Sequence, residues 1–207
     1  MKSASPLIVC LSLLLGCISI EMMPKKIAVD NLTKSDSTFI IPYDAKPPVA
    51  PESVTSASDI YFNRINAAQV KGIASEYQVT WIAIWANWCP HSMDGLTRKY
   101  VPLEEEFKFR GLKLLLVAQD INMSYMQSQI FQSGIHRLTY VIDPGTYGPV
   151  QNDRVRKFLS EFSPGLDSIY SASPKHLLIN NKGNLIKAFM GDVINSDSIR
   201  KYCFNGK

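Results

Sequence analysis

Residues 85–93 read Trp-Ala-Asn-Trp-Cys-Pro-His-Ser-Met. Cys89 is the side chain in this stretch able to act as a nucleophile, and it would do so as a thiolate. An apolar run precedes it. Pro90 follows it, and proline suits the first position of a helix because it has no N–H to leave unpaired. Cys89 therefore stands where a buried strand passes into a helix. The first turn of a helix carries N–H groups without internal partners and the positive end of the helix dipole, and both favour a thiolate over a thiol. His91, when protonated, adds positive charge nearby, and Ser92 could donate an O–H to the sulfur. A thiolate so placed can attack a disulfide and form a mixed disulfide. A second thiol normally finishes such an exchange, and at that spacing this chain has Ser92. Cys89-Pro-His91 is too small a donor set to hold zinc, and no other spacing suggests a metal site or a cofactor.

The surrounding sequence supplies the elements that would hold this sulfur. "VTWIAIWA" (79–86) is a continuous apolar, β-branched and aromatic run, as expected of a buried strand, and "LKLLLVAQD" (112–120) is expected to be a second buried strand. Residues 58–77 predict a helix capped by Ser58-Asp59, and residues 90–109 a second one, bent or broken at Gly95 and Pro102. Further on come a helix over 123–134 closed by Gly134, a short strand over 138–144 and an irregular insert over 145–172. The insert holds one helix, Asp153–Phe162, whose mixed charges predict a solvated face over an apolar edge. Two antiparallel strands around Asn181-Lys182-Gly183-Asn184 follow, and Asn195/Ser196 can cap a last helix reaching Phe204. Trp81 and Trp85 are expected in the core, and His136 and His176 are expected to be structural or exposed. Alternating strands and helices ending in a hairpin and a helix make an α/β domain.

The N-terminus has a basic start, Met1-Lys2, and then fifteen apolar-rich residues, 6–20. That is short of the ~20 needed to span a bilayer and predicts an export signal. "LLGC", Leu14 to Cys17, resembles the bacterial lipobox, whose cysteine is lipidated. The expected organisation is a signal peptide over 1–16, a lipidated N-terminus and tether over 17–57, rich in Pro, Ser and Asp, and a domain over 58–207. The expected location is the bacterial cell envelope, held to the membrane by lipid on Cys17. Of the four cysteines, Cys10 would leave with the signal, and Cys89 and Cys203 would remain as thiols in an oxidising setting. A net charge of +4 without basic runs gives no support for nucleic acid as a partner. The sequons Asn31-Leu-Thr33 and Asn122-Met-Ser124 are taken as chance matches in a bacterial chain.

Two segments in this order resemble the thioredoxin superfamily, in particular its TlpA-like or redoxin-type exported bacterial members. "IWANWCPHS" resembles the strand–Trp-Cys-X-X-Cys–helix signature with Ser92 for the second cysteine. "ASPKHLLINNKGNLI" (172–186) resembles the cis-proline segment and its hairpin, with Pro174 on the proline and Ser173 before it. The resemblance covers roughly residues 58–204. It implies a thioredoxin-like fold: a central mixed sheet flanked by helices, here with an N-terminal extension and a helical insert before the cis-proline. It further implies that Cys89 is the exposed nucleophile, that Pro174 faces it across the groove where a partner's backbone docks, and that Trp88 frames that surface. The partners would be thiols or disulfides of exported proteins. Ser92 cannot resolve a mixed disulfide, so release would need an outside reductant or low-molecular-weight thiol. Ala83 falls where the family often has a buried carboxylate, leaving no obvious proton acceptor. On that fold the last helix would carry Cys203 on the order of 12 Å from the site, beyond the ~7 Å between Cα atoms that a disulfide tolerates. The same pattern also fits a non-catalytic module that uses the Pro174 groove to hold a protein. A peroxidase of the peroxiredoxin type fits less well, because "WIAIWANW" stands where its Pro-x-x-x-Thr-x-x-Cys arrangement would be.

Overall fold

The computed structural model describes residues 36–169 and 173–204. The expected signal peptide, Cys10, the expected lipidation site Cys17 and the sequon at Asn31 lie outside the described residues. The strands are β1 (Ile40–Ile41), β2 (Phe62–Ile65), β3 (Val79–Trp85), β4 (Leu112–Ala118), β5 (Thr139–Ile142), β6 (Lys175–Asn180) and β7 (Leu185–Met190). The α-helices are α1 (Ala67–Ala74), α2 (Pro90–Asp94), α3 (Tyr100–Phe107), α4 (Met123–Gln132), α5 (Pro144–Tyr147), α6 (Gln151–Ser160) and α7 (Ser196–Ile199). They build one seven-stranded sheet in the order β1-β2-β5-β4-β3-β6-β7. β1 to β5 run parallel to their neighbours, while β6 is antiparallel to β3 and β7 to β6. The thioredoxin-like architecture expected of the sequence, a mixed sheet with helices on both faces, is the one observed.

β3 lies at the centre, and all seven of its residues are buried. Its side chains alternate between two cores, as the pleat demands. Trp81, Ala83 and Trp85 face a core completed by Leu96, α3, α4 and Phe204, whereas Ile82 and Ile84 face one completed by α1 and α6. Burial on both faces explains why β3 and β4 read as largely apolar runs rather than alternating ones, with Thr80 and the half-buried Lys113 as the interruptions.

One helix differs from expectation, and a second breaks where it was expected to, at Gly95. Residues 58–77 do not form one helix: Ala57–Asp59 is a 3₁₀ turn, Phe62–Ile65 is a strand between β1 and β5, and the helix begins only at Ala67. Asn66 sets that start. Its side chain accepts the Gln69 N–H at 2.9 Å, and its own N–H donates to Gln69 Oε1 at 2.9 Å, a reciprocal cap. The buried Asn63 donates to the carbonyls of Pro42, Tyr43 and Ala45 and so ties the chain entering β1 to β2. In the second case, the helix after Cys89 is interrupted by a π-turn over Gly95–Lys99. Pro102 cannot donate to the carbonyl four residues back and its ring crowds it, so the chain widens just ahead of the proline.

The π-turn places the Tyr100 ring directly over Gly95. A Cβ added to Gly95 would lie 2.1 Å from the ring. That ring is fully buried, edge-on to Trp81 and to His176, and cannot swing away. Gly95→Ala should therefore destabilise the protein by about 1–3 kcal/mol, even though alanine is the better helix former by ~1 kcal/mol. A denaturant midpoint equal to or above that of the wild type would show that the ring does move.

Candidate active site

Cys89 caps α2, with extended backbone (φ −99°, ψ 114°), and its carbonyl accepts the Met93 N–H at 3.1 Å. The loop before it is strapped from three sides. Trp85 O accepts the Gln119 N–H at 3.0 Å, Asn87 N–H donates to Asp120 Oδ2 at 2.8 Å, and Gln129 Nε2 donates to Asn87 O at 2.7 Å. The ends of β3 and β4 and the body of α4 thus fix where the sulfur sits. Trp88 is 60 % exposed, and Pro90 and His91 are also exposed.

The Ser173-Pro174 peptide bond is cis, and this segment lies against Cys89. Cys89 Sγ donates to the Ser173 carbonyl at 3.3 Å. Pro174 is held in turn by its own carbonyl, which accepts the Gly191 N–H at 2.8 Å, with Gly191 at φ +69°, where glycine alone is at ease. Trp88, Cys89, Pro90, His91, Ser173 and Pro174, named separately in the sequence, therefore meet at one edge of the molecule. The sulfur is less open than the resemblance implied. Cys89 is 5 % exposed, the Ser173 carbonyl lying against its sulfur.

Ser92 is fully buried, and its Oγ accepts the Ala86 N–H at 3.2 Å. The hydroxyl at the resolving position is thus engaged in closing the strand-to-helix turn. Behind the site, Ala83 pairs across the sheet with His176. His176 is fully buried, its Nδ1 accepts the Trp81 indole N–H at 3.2 Å, and burial pushes its pKa down to about 3. It is a neutral core histidine. Cys203 is a free thiol packed against the same core, and burial pushes its pKa up to about 11, away from the range of reactive thiols.

The sequence reading missed a buried polar group on the opposite side of Cys89. Lys175, the first residue of β6, is fully buried. Its Nζ donates to Gln119 Oε1 at 2.8 Å and to Ser173 Oγ at 3.2 Å, and Ser173 Oγ donates to the same Gln119 oxygen at 3.2 Å. Arg154 of α6, also fully buried, donates to the Gln119 carbonyl at 2.7 Å and to the Pro149 carbonyl at 3.0 Å. Asp120 accepts from the Gln151 amide as well as from Asn87. α6 was expected to turn its charges to water, and Arg154 is a correction to that. It shares a face with Val155, Phe158 and Leu159 and is carried inward with them. A signal for Lys175 was present, since β6 begins immediately after Pro174 and its first residue has to lie near whatever faces the proline.

No family model matches this chain, and no curated protein matches it. Solved structures similar to it include the thioredoxin domain of a thiol-disulfide oxidoreductase from Bacteroides vulgatus (14 % identity, TM-score 0.47, 62 % of this chain and 81 % of that one). A thioredoxin-family thiol:disulfide interchange protein from Chlorobium tepidum has 16 % identity and TM-score 0.44 over 77 % of this chain and 99 % of that one. A secreted thiol-disulfide isomerase from Corynebacterium glutamicum has 15 % identity and TM-score 0.42 over 65 % of this chain and 72 % of that one. Nothing about this chain's activity follows from likenesses of that size.

Proposed function

We propose that this protein performs thiol–disulfide exchange with a single sulfur. In this reading it is a bacterial envelope protein, lipid-anchored through Cys17, acting on thiols or disulfides of exported proteins. The Cys89 thiolate attacks a partner's disulfide. A new S–S bond forms to Cys89, the partner's bond breaks, and the departing sulfur leaves as a thiolate that takes up a proton. The chain then waits in the mixed disulfide. An outside thiol, a low-molecular-weight one or one on the partner, attacks next and returns Cys89 as a thiolate, so that electrons balance without any further oxidant. Pro174 and Ser173 would receive the partner's backbone, and Trp88, Pro90 and His91 would form the rim.

The observation that carries this reading is the meeting of Cys89 Sγ with the Ser173 carbonyl, beside cis Pro174, while the resolving position holds a hydroxyl already engaged with Ala86. A disulfide-bonded reporter peptide tests it. Turnover should require added glutathione, rise with its concentration and vanish in Cys89→Ala. Turnover independent of added thiol would overturn the single-sulfur mechanism.

A second reading is a non-catalytic module that holds a protein in the same groove. The covered sulfur beside a largely exposed Trp88 favours it. It predicts that partner capture survives Cys89→Ala and is lost in Trp88→Ala.

A further inference from the structure

Lys175 is a charge buried where charges are rare. A lysine with no exposure is ordinarily paired with an opposite charge, yet both of its hydrogen bonds among the described residues go to neutral oxygens, of Gln119 and Ser173. The charged or titratable groups facing it among the described residues are Asp120 and Cys89, with Arg154 beyond the Gln119 carbonyl. Asp120 keeps its negative charge while its oxygens accept from Asn87 and Gln151, so Lys175 faces one standing carboxylate and, once Cys89 ionises, a second anion. Ser173 stands between Lys175 and Cys89: its hydroxyl accepts from Lys175, and its carbonyl accepts from the Cys89 thiol, a bond that the thiolate would give up.

We propose that Lys175 is the buried cation that holds Cys89 as a thiolate, with Gln119 and Ser173 fixing where its ammonium group lies. This rests on Cys89 being the nucleophile. Lys175 acts on the sulfur and not on the substrate, so it is a positioning residue.

The chemistry runs in both directions. With Cys89 ionised, the ammonium and the thiolate compensate one another in a site shielded from water, where such an attraction is stronger than at the surface. When Cys89 enters the mixed disulfide, its charge is gone and the ammonium keeps only Asp120 as a facing anion. Attack by an outside thiol restores the thiolate, so Lys175 makes Cys89 the better leaving group and drives the chain out of the mixed disulfide. A single-sulfur site needs that push, having no internal thiol to supply it. Burial lowers the Lys175 pKa to about 8, the charges of Asp120 and Cys89 opposing the shift. The ammonium form therefore predominates at neutral pH.

The test is the rate of alkylation of Cys89 by iodoacetamide between pH 6 and 10 in the full chain, with the modified site read by peptide mass mapping. One unit in the ionisation of a thiol is a tenfold change in its thiolate fraction. In Lys175→Met the rate at pH 7 should fall about tenfold, while the rate at pH 10 should match the wild type. Lys175→Arg, which keeps the cation, should restore most of the pH 7 rate. Equal rates in wild type and Lys175→Met at pH 7 would overturn the proposal. A second measurement avoids Lys175 variants altogether. By reciprocity the thiolate must support the ammonium, so NMR titration of the Lys175 side chain should show it losing its proton at lower pH in Cys89→Ala than in the wild type. An unchanged titration would equally overturn it. Neither measurement involves a disulfide substrate, so a protein that exchanges no disulfides but passes both would overturn the proposed function and leave this inference standing.

Discussion

Ser92→Cys should release its partner unaided, where single-sulfur exchange as proposed would hold the wild type at the mixed disulfide. Ser92 is three residues beyond Cys89, which caps the helix, and the side chains at these two positions are the pair that meet across a first helical turn. Their Cα atoms are expected about 5–6 Å apart, inside the range that a disulfide tolerates. The introduced thiol would attack the mixed disulfide intramolecularly. Well-oriented intramolecular reactions outrun the bimolecular ones by large factors, so turnover without glutathione should rise by roughly a hundredfold or more. The structural cost is modest: the Ala86 N–H loses a hydroxyl acceptor and keeps a weaker sulfur one, about 1 kcal/mol. The measurement is reporter turnover without added thiol, alongside the fraction of protein trapped as mixed disulfide. A folded variant that still needs glutathione would mean that the Cys89 site cannot be resolved from within the helix.

Much of this geometry was readable in the residues. β3 and β4 do not alternate because both faces are covered, and only Thr80 and Lys113 interrupt their apolar residues. Asn195 caps α7 as its residue type suggests, and Asn122, part of a chance sequon, caps α4. Cys89 and Pro174, eighty-five positions apart, were matched on short motifs, and the fold brings them together. The misreadings are equally local. Residues 58–77 contain apolar residues at loosely helical spacing, but Phe62 and Ile65 are claimed by pairing between β1 and β5, which no local pattern reports. Arg154 was expected on a solvated face, and Lys175 was not singled out at all. Arg154 could have been placed from the helical period that it shares with Phe158. The burial of Lys175 could not have been, because it depends on Gln119, fifty-six residues earlier, offering an oxygen at the end of another strand.

The second large effect concerns the sulfur itself, and it tests the whole reading most directly. The full chain is incubated with excess glutathione disulfide, quenched with acid, and its adducts are assigned to single cysteines by peptide mass mapping. Cys203 should stay unmodified, since desolvation pushes the pKa of its half-buried thiol up to about 11. Cys89 should carry one glutathione in nearly every molecule, the adduct should persist until a free thiol is added, and Cys89→Ala should lose it entirely. A wild-type protein whose Cys89 remains unmodified, while it still binds its partner through the Pro174 groove, would contradict the exchange chemistry and leave a binding module in its place.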